Sequence, residues 1–266
     1  MIRDITLGQY YPAESKLHSA DPRVKLMGAM VYLISLFIAG NIPAFVAVTI
    51  FLIAIIKASK VPFSFMVKGL RSIVVLVIIA AVFNLFLSPG ITIWEYKFLK
   101  ITDVGLRNAV LMTVRMIYLI IGTSILTLTT TPNQLTNGLE EGLHFLNYFK
   151  VPVHEIAMMM SIALRFIPIL IEETDKIMKA QMARGADFES GGLIRKAKAM
   201  IPLLVPLFVS AFRRANDLAL AMEARCYHGG EGRTRMKPLK YQSLDMIFYG
   251  ILLVYFAAVI ALQVLF

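Results

Sequence analysis

Two short stretches carry the residue types best suited to specific chemistry: Gln181-Met182-Ala183-Arg184-Gly185-Ala186 and Met222-Glu223-Ala224-Arg225-Cys226-Tyr227, 41 positions apart. Each sets an arginine after an alanine and before a small residue, and each follows a proline-containing apolar segment. An arginine fork stays charged when buried and makes two parallel hydrogen bonds to a carboxylate. A single arginine at a helix end needs no more than the attraction between a cation and the negative end of the helix dipole. The duplication suggests more. Ala183, Arg184, Gly185 and Ala224, Arg225, Cys226 read as the ends of a degenerate helical repeat, shaped for two similar sockets on a partner.

No other motif has catalytic or metal-binding spacing. Cys226 is the one cysteine, and His18, His144, His154 and His228 are scattered. There is no Gly-Lys dipeptide for a phosphate-binding loop, no Gly-x-Ser-x-Gly and no His-Glu-x-x-His. The chain is therefore expected to be non-catalytic, to hold no metal or cofactor of its own, and to rely on another subunit for any ATP chemistry. Glu140-Glu141 and Glu172-Glu173 read as solvated helix charges, since adjacent helix residues point in different directions. The basic residues are interleaved with acids such as Glu172, Glu173 and Asp175, which excludes a phosphate-tracking stripe for nucleic acid.

The elements that position the two arginines follow from composition. Of 266 residues, 58% are hydrophobic and 17% charged, and mean hydropathy is +0.71. Soluble domains carry about a quarter charged residues, so an all-α integral membrane protein is expected. Apolar runs at Ile73–Ser88, Ala109–Thr129 and Met246–Phe266 are clear spans. Leu26–Ile56 is apolar but broken by Gly40, Asn41 and Pro43, and reads as one kinked span or a hairpin of two. Residues 1–25 and 57–71 carry four Lys/Arg each, residues 89–104 carry two, and residues 130–242 carry fifteen. Basic loops favour the cytoplasmic side, which favours the hairpin and places 57–71 and 130–242 in the cytoplasm. The net charge of +10 is thus expected to set topology. Residues 1–23 hold no apolar run, so no cleavable signal is expected there.

Within 130–242, Val151-Pro152-Val153 begins a long helix towards Arg184, Gly191-Gly192 ends the connection, and a second helix runs from Leu193 to Arg225, with Gly229-Gly230 beyond. Their apolar halves, Ile156–Ile171 and Ala199–Phe212, are short of a crossing, and Arg165 would stand in mid-membrane. They read as long helices leaning on the membrane helices, with two further spans as the alternative. Methionines 158–160, 178, 182, 200 and 222 on these helices read as core packing. Arg115, inside a span, is expected to pair with a carbonyl or snorkel, and Asn84 is the other polar group there.

The order of Gly8-Gln9-Tyr10-Tyr11-Pro12, Asp21-Pro22-Arg23-Val24-Lys25-Leu26, Ala163-Leu164-Arg165-Phe166-Ile167-Pro168, Ala183-Arg184-Gly185-Ala186-Asp187-Phe188 and Ala221-Met222-Glu223-Ala224-Arg225-Cys226-Tyr227 resembles the transmembrane T component of energy-coupling factor (ECF) transporters, importers of the ATP-binding-cassette type. The resemblance implies about five transmembrane helices, four N-terminal within 26–129 and one C-terminal at 243–266. It also implies a cytoplasmic segment at 1–25 and a cytoplasmic coupling domain of crossed helices at 130–242. It further implies two partner ATPases that bind ATP and Mg, one docked on Arg184 and the other on Arg225. A substrate-binding S component for a vitamin or other micronutrient would complete the complex in the cell membrane. The second motif has Cys226 where the first has Gly185. A T component dedicated to biotin, cobalt or nickel, and a self-sufficient secondary carrier, are the alternatives.

Overall fold

The computed structural model describes residues 10–71, 73–89, 91–96, 99–188, 192–230 and 238–265. Arg3, Gly8, Gln9 and Gly191 of the sequence motifs lie outside them. The elements are α1 (Lys16–Ser19), α2 (Pro22–Ile38), α3 (Ile42–Ser59), α4 (Phe63–Arg71), α5 (Val74–Leu87), β1 (Thr92–Tyr96), β2 (Leu99–Thr102), α6 (Asp103–Thr129), α7 (Pro132–Gly142), a 3-10 turn (His144–Phe149), α8 (Val153–Ala183), α9 (Leu193–Glu223) and α10 (Ser243–Leu265). The chain is an all-α membrane protein whose one departure, among the described residues, is the antiparallel hairpin β1–β2. It divides into two compact units, one of Gly8–Gly138 with Leu239–Phe266, the other including Leu139–Pro238.

In the first unit, Leu26–Ile56 is a hairpin. Gly40 and Asn41 stop α2, Pro43 is tolerated in the first turn of α3, and the amides of Gly40 and Asn41 donate to Gln263 Oε1 at 2.8 and 3.2 Å. The strand order of a sheet has its counterpart here in polar contacts between helices. Asp21 meets Asp245, Ser35 meets Tyr255 and Gly40 meets Gln263, so α2 and α10 run parallel. Lys25 reaches Thr129, Tyr32 donates to the Tyr118 carbonyl and Arg115 donates to the Ala39 carbonyl, so α2 and α6 run antiparallel. One end of the bundle therefore gathers Lys16, Arg23, Lys25, Lys57 and Lys60; the other holds the α2–α3 turn and Gln263.

The expectation for Arg115 is met. Its NH2 donates at 2.6 Å to the carbonyl of Ala39, the C-cap of α2, where helix geometry leaves the oxygen without a partner, and its guanidinium lies 5.6 Å from the Phe45 ring. Asn84 returns its amide to the Ala80 carbonyl. The core joins Tyr32, Leu36, Val48, Ile125, Tyr255 and Val259, while Phe37, Val75 and Leu253 point outwards, as suits helices whose surroundings are lipid. Gly122 is required by close approach, since a Cβ there would lie 2.2 Å from the Tyr32 ring.

Asp21-Pro22-Arg23-Val24-Lys25 forms the lock of the basic end. The Asp21 carboxylate caps α2 by accepting from the Arg23 amide and binds the Arg23 guanidinium, while the Asp21 amide donates to Asp245 Oδ1 at 2.9 Å. Asp245 Oδ2 accepts from the Gln242 amide at 2.8 Å, the reach-back half of a capping box at the start of α10. Lys25 Nζ donates to the carbonyls of His18 and Thr129, at the ends of α1 and α6.

Among the described residues, four helices are long and apolar enough to cross a membrane, α3, α6, α8 and α10; α5 is a shorter apolar helix and α2 has 17 residues. α8 is one continuous helix of 31 residues with Pro168 inside it, as expected for the helix running towards Arg184, but by length and composition it does suffice for a crossing, against the expectation that its apolar half falls short.

Candidate functional site

Both arginine motifs fall at helix C-termini, and the two ends share one hydrogen-bond pattern. At α8, the Gly185 amide donates to the Met182 carbonyl and the Ala186 amide to the Gln181 carbonyl, each at 3.0 Å. At α9, the Cys226 amide donates to the Glu223 carbonyl at 2.8 Å and the Tyr227 amide to the Met222 carbonyl at 3.1 Å. These are paired Schellman closures, and each donor and acceptor in the second lies 41 positions after its counterpart in the first. Closure requires a left-handed residue after the arginine. Gly185 supplies it at φ +85° and Cys226 at φ +54°. α9 therefore closes at Arg225-Cys226, where the sequence reading placed its end, with Gly229-Gly230 beyond.

Ala183, Arg184, Gly185, Ala224, Arg225 and Cys226 are all exposed. Neither guanidinium has an ion pair or hydrogen bond among the described residues. Two permanently charged forks are thus held on closed helix ends with their hydrogen bonding unspent.

The structure does not bring these ends together. α8 and α9 pack antiparallel through Glu173, whose carboxylate accepts from Ser210 Oγ and from Arg214 Nε and NH2, the last two at 3.2 and 3.0 Å. Glu173 and Arg214 are themselves 41 positions apart, so equivalent positions of the repeat meet, as an approximate two-fold axis between the helices demands. Arg184 and Arg225 each stand eleven residues beyond that brace, in opposite directions. At the helical rise this separates them by roughly 30 Å. A second contact follows from proline chemistry: Pro206 has no amide to give the Pro202 carbonyl, and Gln181 Nε2 donates to that carbonyl instead, at 3.5 Å.

Glu173 is thus a correction. It was expected to be a solvated charge, but its side chain is 21% exposed and joins two helices. Glu140 differs likewise, accepting from His154 Nδ1 at 2.8 Å, with Gly230 packed on the His154 ring. The available signal was the 41-residue spacing applied to charge, which pairs Glu172-Glu173 with Arg213-Arg214. The methionines also differ from expectation. Met159, Met160, Met182 and Met200 are exposed, because α8 and α9 bury little between them. Among the described residues, no group of three or more His, Cys, Asp or Glu is placed to hold a metal ion.

A family model described as Cobalt transport protein (CbiQ) matches residues 13–236. The chain is 53% identical over 249 residues to the "Energy-coupling factor transporter transmembrane protein EcfT" of Clostridium kluyveri, covering 93% of this chain and 92% of that one. It is 50% identical over 266 residues, the whole of both chains, to the protein of that name from Ruminiclostridium cellulolyticum. The Bacillus subtilis protein of that name is 46% identical over 246 residues, 92% of this chain and 93% of its own. With spanning helices, a duplicated arginine end and relatives matching along nearly all its length, the chain belongs to the CbiQ family, as a transmembrane component of the energy-coupling factor transporter type.

Proposed function

We propose that this chain is the coupling subunit of a cell-membrane importer in which two ATP-binding-cassette ATPases, binding ATP and Mg, drive a substrate-binding S component for a vitamin or other micronutrient. The observation that carries this reading is the pair of identical helix closures, each holding an exposed arginine with no partner among the described residues, about 30 Å from the other. Two equivalent ATPases offer two equivalent grooves, and a two-fold helix pair with one arginine at each end fits that symmetry. Arg184 docks on one ATPase and Arg225 on the other, each finding a carboxylate that its fork can bind bidentately.

The mechanism follows from rigidity. When ATP draws the ATPases together, both grooves move, and the Glu173–Arg214 brace makes α8 and α9 respond as one body. The apolar faces, including Met159 on α8 and Ile201, Val205, Phe208 and Phe212 on α9, are exposed and pass the motion to the S component, which tilts and releases its substrate. The basic end of the membrane bundle and residues 130–242 face the cytoplasm, where an excess of Lys and Arg is favoured.

The test is Arg184→Glu/Arg225→Glu in vesicles reconstituted with the ATPases and the S component. The double variant is expected to lose the ATPases on purification and to lose ATP-driven uptake, with substrate binding by the isolated S component intact. Full uptake refutes the docking role. Uptake by this chain alone under an ion gradient would replace the reading with a secondary carrier. The S components that co-purify from native membranes decide between a shared subunit and one dedicated to a single substrate.

A further inference from the structure

The membrane unit holds a slot of about 210 Å³ between α2, α3, α6 and α10. Small residues open it: Gly28 and Ala29 on α2, Ala54 and Ala58 on α3 and Gly122 on α6 line it where larger side chains would close it. Its inner end is closed by Tyr32 and by Phe51, whose ring stacks on that of Tyr255 at 3.7 Å. Lys25 lines it seven residues earlier along α2, about 10 Å away at the helical rise and at the end where the basic residues gather. Ala54, Ala58 and Ile251 line the slot and are exposed, so it opens sideways between α3 and α10. Ile50, one turn from Ala54, and Ile247 and Val254, one turn either side of Ile251, are exposed on the same helix faces, so the mouth lies in an apolar surface.

An apolar cavity of about 150 Å³ stays dry and takes up benzene. A larger one that opens onto hydrocarbon is filled by that hydrocarbon, because bare walls forfeit their dispersion contacts. In a bilayer the filling is an acyl chain. The polar groups decide which lipid carries it. Of the lining residues, Lys25, Tyr32 and Thr129 have polar side chains, and the Tyr32 and Thr129 hydroxyls donate to the carbonyls of Tyr118 and Ile125. Lys25 is 8% exposed, and an ammonium has three N–H groups to give. Two go to the carbonyls of His18 and Thr129, at 2.9 and 3.1 Å. Among the described residues no carboxylate is within ion-pair distance of Lys25. Asp21 and Asp245 stand nearby, but Asp21 grips Arg23 and both accept from backbone amides. A buried ammonium with a donor left over favours an anion beside it, and Lys16, Lys57 and Lys60 at the same end add to the attraction. Basic pockets between membrane helices hold lipid headgroups for this reason.

We propose that the slot is a binding site for one anionic phospholipid, its phosphate beside Lys25, one acyl chain running inwards to Tyr32 and the other left in the bilayer against α3 and α10. The lipid completes the packing of the four helices and supplies the counter-charge that the chain itself does not. The proposal rests on the membrane character of the chain and is independent of the docking role of the arginines.

The test is native mass spectrometry of the full chain, purified in detergent, stripped of lipid and titrated with phosphatidylglycerol or with phosphatidylcholine of the same chain length. One phosphatidylglycerol is expected to survive collisional activation that removes the others, and to be held about fivefold tighter than phosphatidylcholine, as one lysine at a lipid phosphate provides. Ala54→Leu/Ala58→Leu fills the slot from two exposed helix positions and is expected to weaken that lipid about tenfold, through the methylenes it displaces. Lys25→Gln keeps neutral donors for the two carbonyls and is expected to erase the preference for phosphatidylglycerol while a lipid stays bound. Equal retention by the wild-type chain and Ala54→Leu/Ala58→Leu makes the lipid a surface layer and overturns the proposal. Equal retention of the two lipids by the wild-type chain overturns it too, and needs no variant of Lys25 to fold. The chain drawn from native membranes with its co-purifying proteins is expected to carry the same lipid. Absence of the lipid there, when the separated chain binds it, gives the slot to a partner protein and overturns the proposal.

Discussion

In the membrane unit, α2, α3, α6 and α10 share a continuous buried core and are tied by side chains that reach another helix's carbonyls or amides, through Lys25, Tyr32, Arg115, Asp245 and Gln263. α8 and α9 are longer, at 31 residues each, yet Val153, Ala157 and Leu203 are their only fully buried hydrophobic residues among those described. Their contact is a charged brace with one backbone hydrogen bond from Gln181. The first pattern belongs to a body complete in itself within lipid. The second leaves apolar side chains such as Ile201, Val205 and Phe208 exposed along its length, and the variants below separate the two kinds of stability.

The largest effect is expected where a surface is finished by a partner. Arg184→Ala and Arg225→Ala, made singly, are each expected to weaken ATPase association about 100-fold, or roughly 3 kcal/mol, mostly by stranding a partner carboxylate. Neither should move the thermal midpoint of the purified chain, since both side chains are exposed and have no partner among the described residues. A fall in that midpoint matching the loss of binding would make the arginines structural and erase the distinction between the units.

The reverse is expected in the membrane unit. Asp245 is 2% exposed and accepts from the amides of Asp21 and Gln242. Asp245→Ala leaves the buried Asp21 amide without an acceptor and uncaps the more exposed Gln242 amide, for about 2–3 kcal/mol together, whereas Asp245→Asn keeps one acceptor oxygen and loses about half as much. Thermal unfolding in detergent reads the difference, with ATPase affinity per folded molecule unchanged. A wild-type midpoint for Asp245→Ala would remove the lock from the account of this unit.

These elements differ in how far the sequence announced them. The hairpin at Gly40-Asn41-Pro43 was legible because three residues with strong backbone preferences interrupt an apolar run, and charge counting favoured two spans. The Arg115–carbonyl pair was legible because a charge in a span has few solutions. Lys25, Asp21 and Asp245 were not read as a lock, because their partners lie up to 224 positions away and no local pattern records such a distance. Glu173 was misread for a related reason: a carboxylate on a polar helix half looks solvated until its neighbour is known. The arginine ends were legible as a repeat, but the left-handed closure that aims them was not, since Cys is an uncommon residue for that conformation.

Breaking the brace should give an intermediate effect. The Glu173 and Arg214 side chains are 21% and 40% exposed, so either single reversal costs about 1 kcal/mol rather than the value of a buried pair. The exchange Glu173→Arg/Arg214→Glu is expected to recover most of that loss, with the remainder set by Ser210, which loses its acceptor. The measurement that matters is substrate imported per ATP hydrolysed. If the brace transmits motion, each single variant lowers that ratio with ATPase docking intact, and the exchange restores it. A ratio unchanged in all three would leave α8 and α9 as independent struts.

The smallest effect compares the two helix ends themselves. Gly185 and Cys226 do the same backbone work, but Gly185 at φ +85° sits where a Cβ is disfavoured even though no atom lies within 4 Å of it. Gly185→Ala is therefore expected to cost about 1 kcal/mol through the backbone alone. Cys226→Gly relieves a left-handed residue at φ +54° but gives the unfolded chain more freedom, so its net gain is only a few tenths of a kcal/mol. Amide exchange at Ala186 and Tyr227, the residues that complete the two closures, reads both changes locally. If Cys226→Gly slows exchange at Tyr227 and leaves ATPase affinity unchanged, the position needs only a small residue that accepts the turn. If affinity falls while the closure tightens, the Cys226 side chain is itself part of the surface that docks, and the two ends are equivalent in backbone but not in socket.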